Sequence, residues 1–127
     1  MVAKEIMIVD DDKTFCRLMS LAFQDKGFQT YIAYHGDAAL KIYEEKFPPI
    51  ILLDVAMPGM DGFQVAEEIR KMEPPDTHTL IIIMTAVSRS FFVSKAFESG
   101  IDSYLTKPVL SANVVAHVLN LISQLPD

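Results

Sequence analysis

The chain has 127 residues, 50% hydrophobic and 22% charged, with five glycines and seven prolines, which fits one compact domain with its own core and excludes disordered, collagen-like and low-complexity chains. Eleven basic against seventeen acidic residues leave a formal charge of −6, the wrong sign for a surface that grips a phosphate backbone, so direct nucleic-acid binding is not expected. No apolar run approaches the roughly 20 residues of a membrane span, and a membrane role is not expected either.

Glu5 to Val9 is a short apolar run, too short for a helix, and reads as a strand buried on both faces. Phe15, Leu18, Met19, Ala22 and Phe23 then recur at helical spacing, with Gly27 as a left-handed stop. The alternation continues with a strand at Phe28 to Tyr34, a helix at Asp37 to Phe47, a strand at Ile50 to Leu53 and a helix at Gly62 to Met72 that Pro74-Pro75 must end. Leu80 to Met84 predicts a fourth strand and the stretch 90–99 a helix closing at Gly100. Ser103 to Thr106 predicts a fifth strand, and Ser111 is the expected N-cap of a final helix running to about Leu125. Five strand and helix alternations predict a single doubly wound α/β domain over 1–127, a parallel sheet with five helices on its two faces.

Ligands of such sheets bind beyond the carboxyl ends of the strands, where the strand order reverses. Those ends carry Asp10-Asp11-Asp12, Asp54, Thr85 and Lys107, each polar after an apolar run. In the five-stranded order 2-1-3-4-5, strands one and three are neighbours, so Asp10, Asp11 and Asp54 are expected in one pocket. Three repelling carboxylates there call for a cation, and an all-oxygen donor set suits Mg²⁺. An acidic triplet equally suits a solvated turn capping the first helix, and Asp12 alone fits that role. The company of a hydroxyl and an ammonium favours phosphoryl transfer, with Asp54 as nucleophile and Thr85 and Lys107 on the phosphoryl oxygens.

Ile8-Val9-Asp10-Asp11, Leu53-Asp54 followed by Met57-Pro58-Gly59-Met60-Asp61-Gly62, Met84-Thr85-Ala86 and Tyr104-Leu105-Thr106-Lys107-Pro108 resemble the successive signatures of response regulator receiver domains, the CheY-like family, over nearly the whole chain. The resemblance implies the flavodoxin-like strand order 2-1-3-4-5 and a two-component switch, phosphorylated on Asp54 by a histidine kinase or phosphotransfer protein. It implies direct Mg²⁺ ligation by Asp11 and Asp54, Asp10 acting through metal-bound water, and the backbone carbonyl of Ala56 as a further ligand. It also implies a cis bond before Pro108, a switch hydroxyl at Thr85, an aromatic switch at Tyr104, and a changed surface across the helix at 90–99, the fifth strand and the final helix.

Ala56 and Val87 are apolar where many members of that family carry polar side chains, so neither is expected to orient a hydrolytic water. Helical projection leaves Phe91 exposed and suggests a docking or dimerisation patch with Tyr104, Ala112, Ala116 and Leu119. His35, His78 and His117 share no metal spacing, and Cys16 is expected to be a semi-buried inert thiol. The lone cysteine and the absence of a basic and apolar leader predict a cytoplasmic setting. The chain ends at Leu125-Pro126-Asp127, so the downstream target is expected in another protein, unless the sequence is cut from a longer regulator, and the state is expected to be a monomer or a phosphorylation-dependent dimer. Two other functions stay open: an interaction module of this fold that works unphosphorylated, and a haloacid-dehalogenase-type phosphatase, which needs an acid where Ala56 stands. No turnover of an external metabolite is expected.

Overall fold

The computed structural model describes residues 4–86 and 100–125. Five strands, β1 (Glu5–Val9), β2 (Gln29–Ala33), β3 (Ile50–Asp54), β4 (Leu80–Thr85) and β5 (Ser103–Thr106), form one parallel sheet in the order β2-β1-β3-β4-β5. Four helices are seen among the described residues: α1 (Lys13–Asp25), α2 (Gly36–Lys46), α3 (Gly62–Met72) and α4 (Ser111–Ser123). The helix expected over 90–99, with Phe91 and Val87, lies outside them.

Alternation along each strand divides the core in two. Met7, Val9, Ile51, Leu53, Ile81 and Ile83 meet α2 and α3, whereas Ile6, Ile8, Ile50, Leu52, Ile82 and Met84 meet α1 and α4. β1, β3 and β4 are buried almost throughout, as apolar strands covered by helices on both faces must be.

Three local expectations are corrected. In α1 the buried stripe is Cys16, Met19, Ser20 and Phe23, and Leu18 is 58% exposed. Ser20 can occupy the inner face because its hydroxyl meets Thr30 Oγ1 at 2.6 Å. Cys16 is wholly buried, not semi-buried; its thiol donates to the Asp10 carbonyl at 3.2 Å. Burial, then the charges of Asp10 and Asp12, push that thiol up to about 12, which makes it inert. Finally, the N-cap of α4 is Leu110, not Ser111: the Leu110 carbonyl accepts from the amides of Asn113 and Val114, and no side chain caps the helix. Burial of Val114, Val115 and Val118 holds this helix without a polar cap.

Candidate functional site

Strand register assembles the site. Val9 lies opposite Leu53, so the next residues, Asp10 and Asp54, are neighbours at the carboxyl edge. Asp54 pairs with Met84, Thr85 with Thr106, and Lys107 follows at once. Polar residues that end adjacent apolar strands therefore meet in a row.

Asp10, Asp54 and Thr85 are buried, and Asp11 is exposed. Carboxylate oxygens of Asp10, Asp11 and Asp54 lie within 4.8 Å of one another. Lys107 Nζ is 2.7 Å from Asp10 Oδ2 and 3.2 Å from Asp54 Oδ1. The lysine is held at its base as well, since its amide donates to the Thr85 carbonyl at 2.7 Å, and its bond to Pro108 is cis. Burial, then repulsion from Asp10, raise the Asp54 carboxyl from 3.8 to about 6, partly opposed by Lys107.

The acidic triplet divides as its geometry requires. Asp12 caps α1, accepting the Phe15 amide at 3.0 Å, while its own amide donates to Asp10 Oδ1 at 3.0 Å and fixes that carboxylate's orientation. The all-oxygen donor set of Asp10, Asp11 and Asp54, two of them buried, fits a hard divalent cation. The loop after β3 is folded back on itself: the amides of Met57 and Gly62 both donate to the Val55 carbonyl, and Asp61 and Gln64 close a capping box at α3. Ala56, within that loop, is exposed.

Tyr104 is half-buried opposite Ile83 and packs on the α2 and α3 face, the face to which alternation also assigns Thr85. Ala112, Ala116 and Leu119 do not join it. They line a hollow of about 400 Å³ between α1 and α4 on the other side of the sheet, because the valines of α4 that enter the core turn these residues toward α1. The histidines serve three separate local contacts: His35 caps α2, His78 meets Asp102 at 2.6 Å and His117 meets Ser103 Oγ at 2.7 Å.

Spacing assigned Phe15 to the core stripe, yet the structure also sets its ring 4.7 Å from Lys107 Nζ. The available signal was its place one turn beyond the capping Asp12.

A family model described as the response regulator receiver domain matches residues 6–119. A two-component response regulator from Clostridium difficile is 25% identical, with a TM-score of 0.88 over 98% of this chain and 99% of that one. The signal receiver domain of a signal transduction histidine kinase from Syntrophus aciditrophicus is 30% identical, with a TM-score of 0.82 over 95% of this chain and 91% of that one. Chemotaxis protein CheY4 of Vibrio cholerae, 23% identical, shares the fold at a TM-score of 0.86 over 94% of this chain and 98% of that one.

Proposed function

The chain belongs to the response regulator receiver family, a family of signalling domains, and from that premise we propose that it is a phosphoacceptor switch whose Asp54 takes a phosphoryl group from a histidine kinase or phosphotransfer protein. One observation carries the reading: a buried carboxylate ending the central strand, Asp54, lies 3.2 Å from the Lys107 ammonium and within 4.8 Å of two more carboxylates.

In the transfer, an Asp54 carboxylate oxygen bonds to phosphorus as the P–N bond of the donor phosphohistidine breaks. The electron pair of that bond leaves on the imidazole nitrogen, which takes a proton from solvent. With a carboxyl at about 6, Asp54 is ionised at neutral pH and ready as a nucleophile. Lys107 pairs with one phosphoryl oxygen and the Thr85 hydroxyl donates to another. Asp10, Asp11, Asp54 and the Ala56 carbonyl are the groups that would hold Mg²⁺, which when bound supplies positive charge against the phosphoryl oxygens.

Drawn toward the phosphoryl group, the Thr85 hydroxyl leaves room on the face it shares with Tyr104, and the β5 edge changes shape for a downstream protein. Exposed Ala56 offers no group to orient water, so the phosphoryl group is lost without help from that side chain. Among the described residues no helix is long and apolar enough to cross a membrane.

The test is intact-protein mass spectrometry after incubation with acetyl phosphate and Mg²⁺, beside a chelator control and Asp54→Asn. One phosphoryl adduct that needs both the metal and Asp54 is the expected result. An adduct that persists in Asp54→Asn would place the phosphoryl group on another residue and overturn Asp54 as the acceptor, and no adduct together with no beryllofluoride response of the Tyr104 NMR signal would leave the unphosphorylated interaction module as the function.

A further inference from the structure

Lys107 must perform two duties that conflict. In the resting chain its ammonium offsets two buried carboxylates, and in the proposed reaction it must face a phosphoryl group on one of them. An ammonium on a flexible four-carbon stem meets that demand only if something holds it over the pocket without neutralising it.

We propose that Phe15 is a positioning residue for Lys107, its ring face holding the ammonium above Asp10 and Asp54 while leaving its charge available. The inference rests on the phosphoacceptor reading given above. Phe15 stands in the first turn of α1, and its amide is tied to Asp12 Oδ1 at 3.0 Å, so the N-cap fixes the backbone that carries the ring. The ring centroid lies 4.7 Å from Nζ, inside the range in which the negative face of a benzene ring attracts a cation. The ammonium donates to Asp10 Oδ2 and contacts Asp54 Oδ1, and the ring provides a third, uncharged contact. A third carboxylate in its place would attract the ammonium more strongly and would also repel the incoming phosphoryl oxygens; an aromatic face does far less of the latter. Phe15 and Lys107 together line an open hollow of about 410 Å³ with Asp12, Ala86, Pro108 and Val109. The ring thus forms one wall of the hollow onto which the lysine opens.

Phe15→Leu keeps an apolar side chain but removes the ring face, and Phe15→Tyr keeps the face. With acetyl phosphate and Mg²⁺, Phe15→Leu should load Asp54 about three- to tenfold more slowly while Phe15→Tyr stays near the parent rate. NMR of the resting parent protein supplies a readout independent of phosphorylation: the Lys107 ε-methylene protons should be shifted upfield by the ring, a shift kept in Phe15→Tyr and lost in Phe15→Leu. Parent-like loading by a folded Phe15→Leu, an equal loss in both variants, or no ring-current shift in the parent would each overturn the proposal. If parent and Asp54→Asn behave alike toward acetyl phosphate, the phosphoacceptor reading fails instead, and the ring-current measurement still decides whether Phe15 holds the lysine.

Discussion

Lys107 lies closer to Asp10 than to Asp54, 2.7 Å against 3.2 Å, so in the resting chain its nearer partner is a carboxylate that takes no phosphoryl group in the proposed reaction. Asp10 is only 1% exposed, so bulk water screens its charge poorly. Burial alone pulls the Lys107 ammonium down, and hydrogen bonds and charge from Asp10 and Asp54 more than offset it, leaving the lysine above its ordinary value. Removing it strands a buried charge. Lys107→Met, which keeps the length of the side chain, is expected to cost about 2–4 kcal/mol in urea unfolding with a chelator present, the lower end reflecting the lysine's partial exposure. Millimolar Mg²⁺ should restore part of that loss, because a cation answers the same carboxylates. A metal-independent loss would mean that lysine packing, not charge, is what the substitution removes.

Asp54 imposes the opposite strain. Its carboxyl is raised from 3.8 to about 6 by burial first and by the charge of Asp10 second. Between those two values the folded chain binds the proton more tightly than the unfolded chain, so stability falls as pH rises through roughly 4 to 6 and the penalty is complete above that window. Asp54→Asn removes the penalty at neutral pH and nothing at pH 4. In chelator the variant should therefore melt higher than the parent at pH 7.5, by the order of 1–3 kcal/mol, with the advantage gone near pH 4. Thermal melts across that range check the sign: an advantage that grows toward acid pH would show that Asp54 is stabilised by Lys107 more than it is strained by its surroundings.

The sheet and the row of polar strand ends were legible because both follow from period and position. Short runs of four to six residues, apolar but for a polar end residue in the three central strands, set the strands, and alternation with helices set their parallel order. What escaped was decided by contacts between distant segments. Cys16 and Leu18 differ in burial because Ser20 finds a partner in Thr30, which no spacing within α1 reveals. The start of α4 was misplaced because a serine is the usual cap, whereas this helix is anchored by its valines. Tyr104 and the Ala112 to Leu119 flank were expected to adjoin, and the sheet separates them, since sequence periodicity assigns a buried side but not which layer covers it. Phe15 over Lys107 joins residues 92 positions apart, so the place of Phe15 one turn beyond Asp12 sets it near the acidic cluster but does not reveal the lysine.

Two glycines of the loop and helix after Asp54 have different reasons to be glycine. A Cβ on Gly62 would lie 2.3 Å from the Asp54 carbonyl oxygen and 2.9 Å from Val55 Cα, both backbone atoms that cannot swing aside. Gly59 has open space around it and only its φ of +79° restricts it. Gly59→Ala should cost about 1 kcal/mol, the ordinary penalty of the left-handed region. Gly62→Ala should cost more, about 2–3 kcal/mol or above, and should also displace the end of β3 and slow loading of Asp54. Equal urea midpoints for the two variants would mean that α3 can slide away from β3 freely.

At the amino ends of the strands, far along the sheet from Asp54, Arg70 joins three segments. Its guanidinium donates to the Gly100 carbonyl through Nε and Nη2, to the Thr79 carbonyl at 2.8 Å and to Glu73 and Asp102 at 2.6 Å and 2.9 Å. Asp102 also accepts the Ile81 amide at 2.8 Å, and Glu73 accepts the Thr79 amide at 2.7 Å, so the arginine ties the end of α3 to the start of β4 and the approach to β5. Its side chain is 20% exposed, which places the network well below the surface ion pairs that contribute little. A lysine has three donors on one nitrogen and cannot span these acceptors, whereas the planar guanidinium meets them all. Arg70→Lys is expected to cost about 2–3 kcal/mol in urea unfolding, while acetyl phosphate loads Asp54 at the parent rate well below the melting temperature. Slowed loading in a folded Arg70→Lys protein would reveal that the base of β4 and β5 governs the geometry at their carboxyl ends, and with it the position of Thr85 and Lys107.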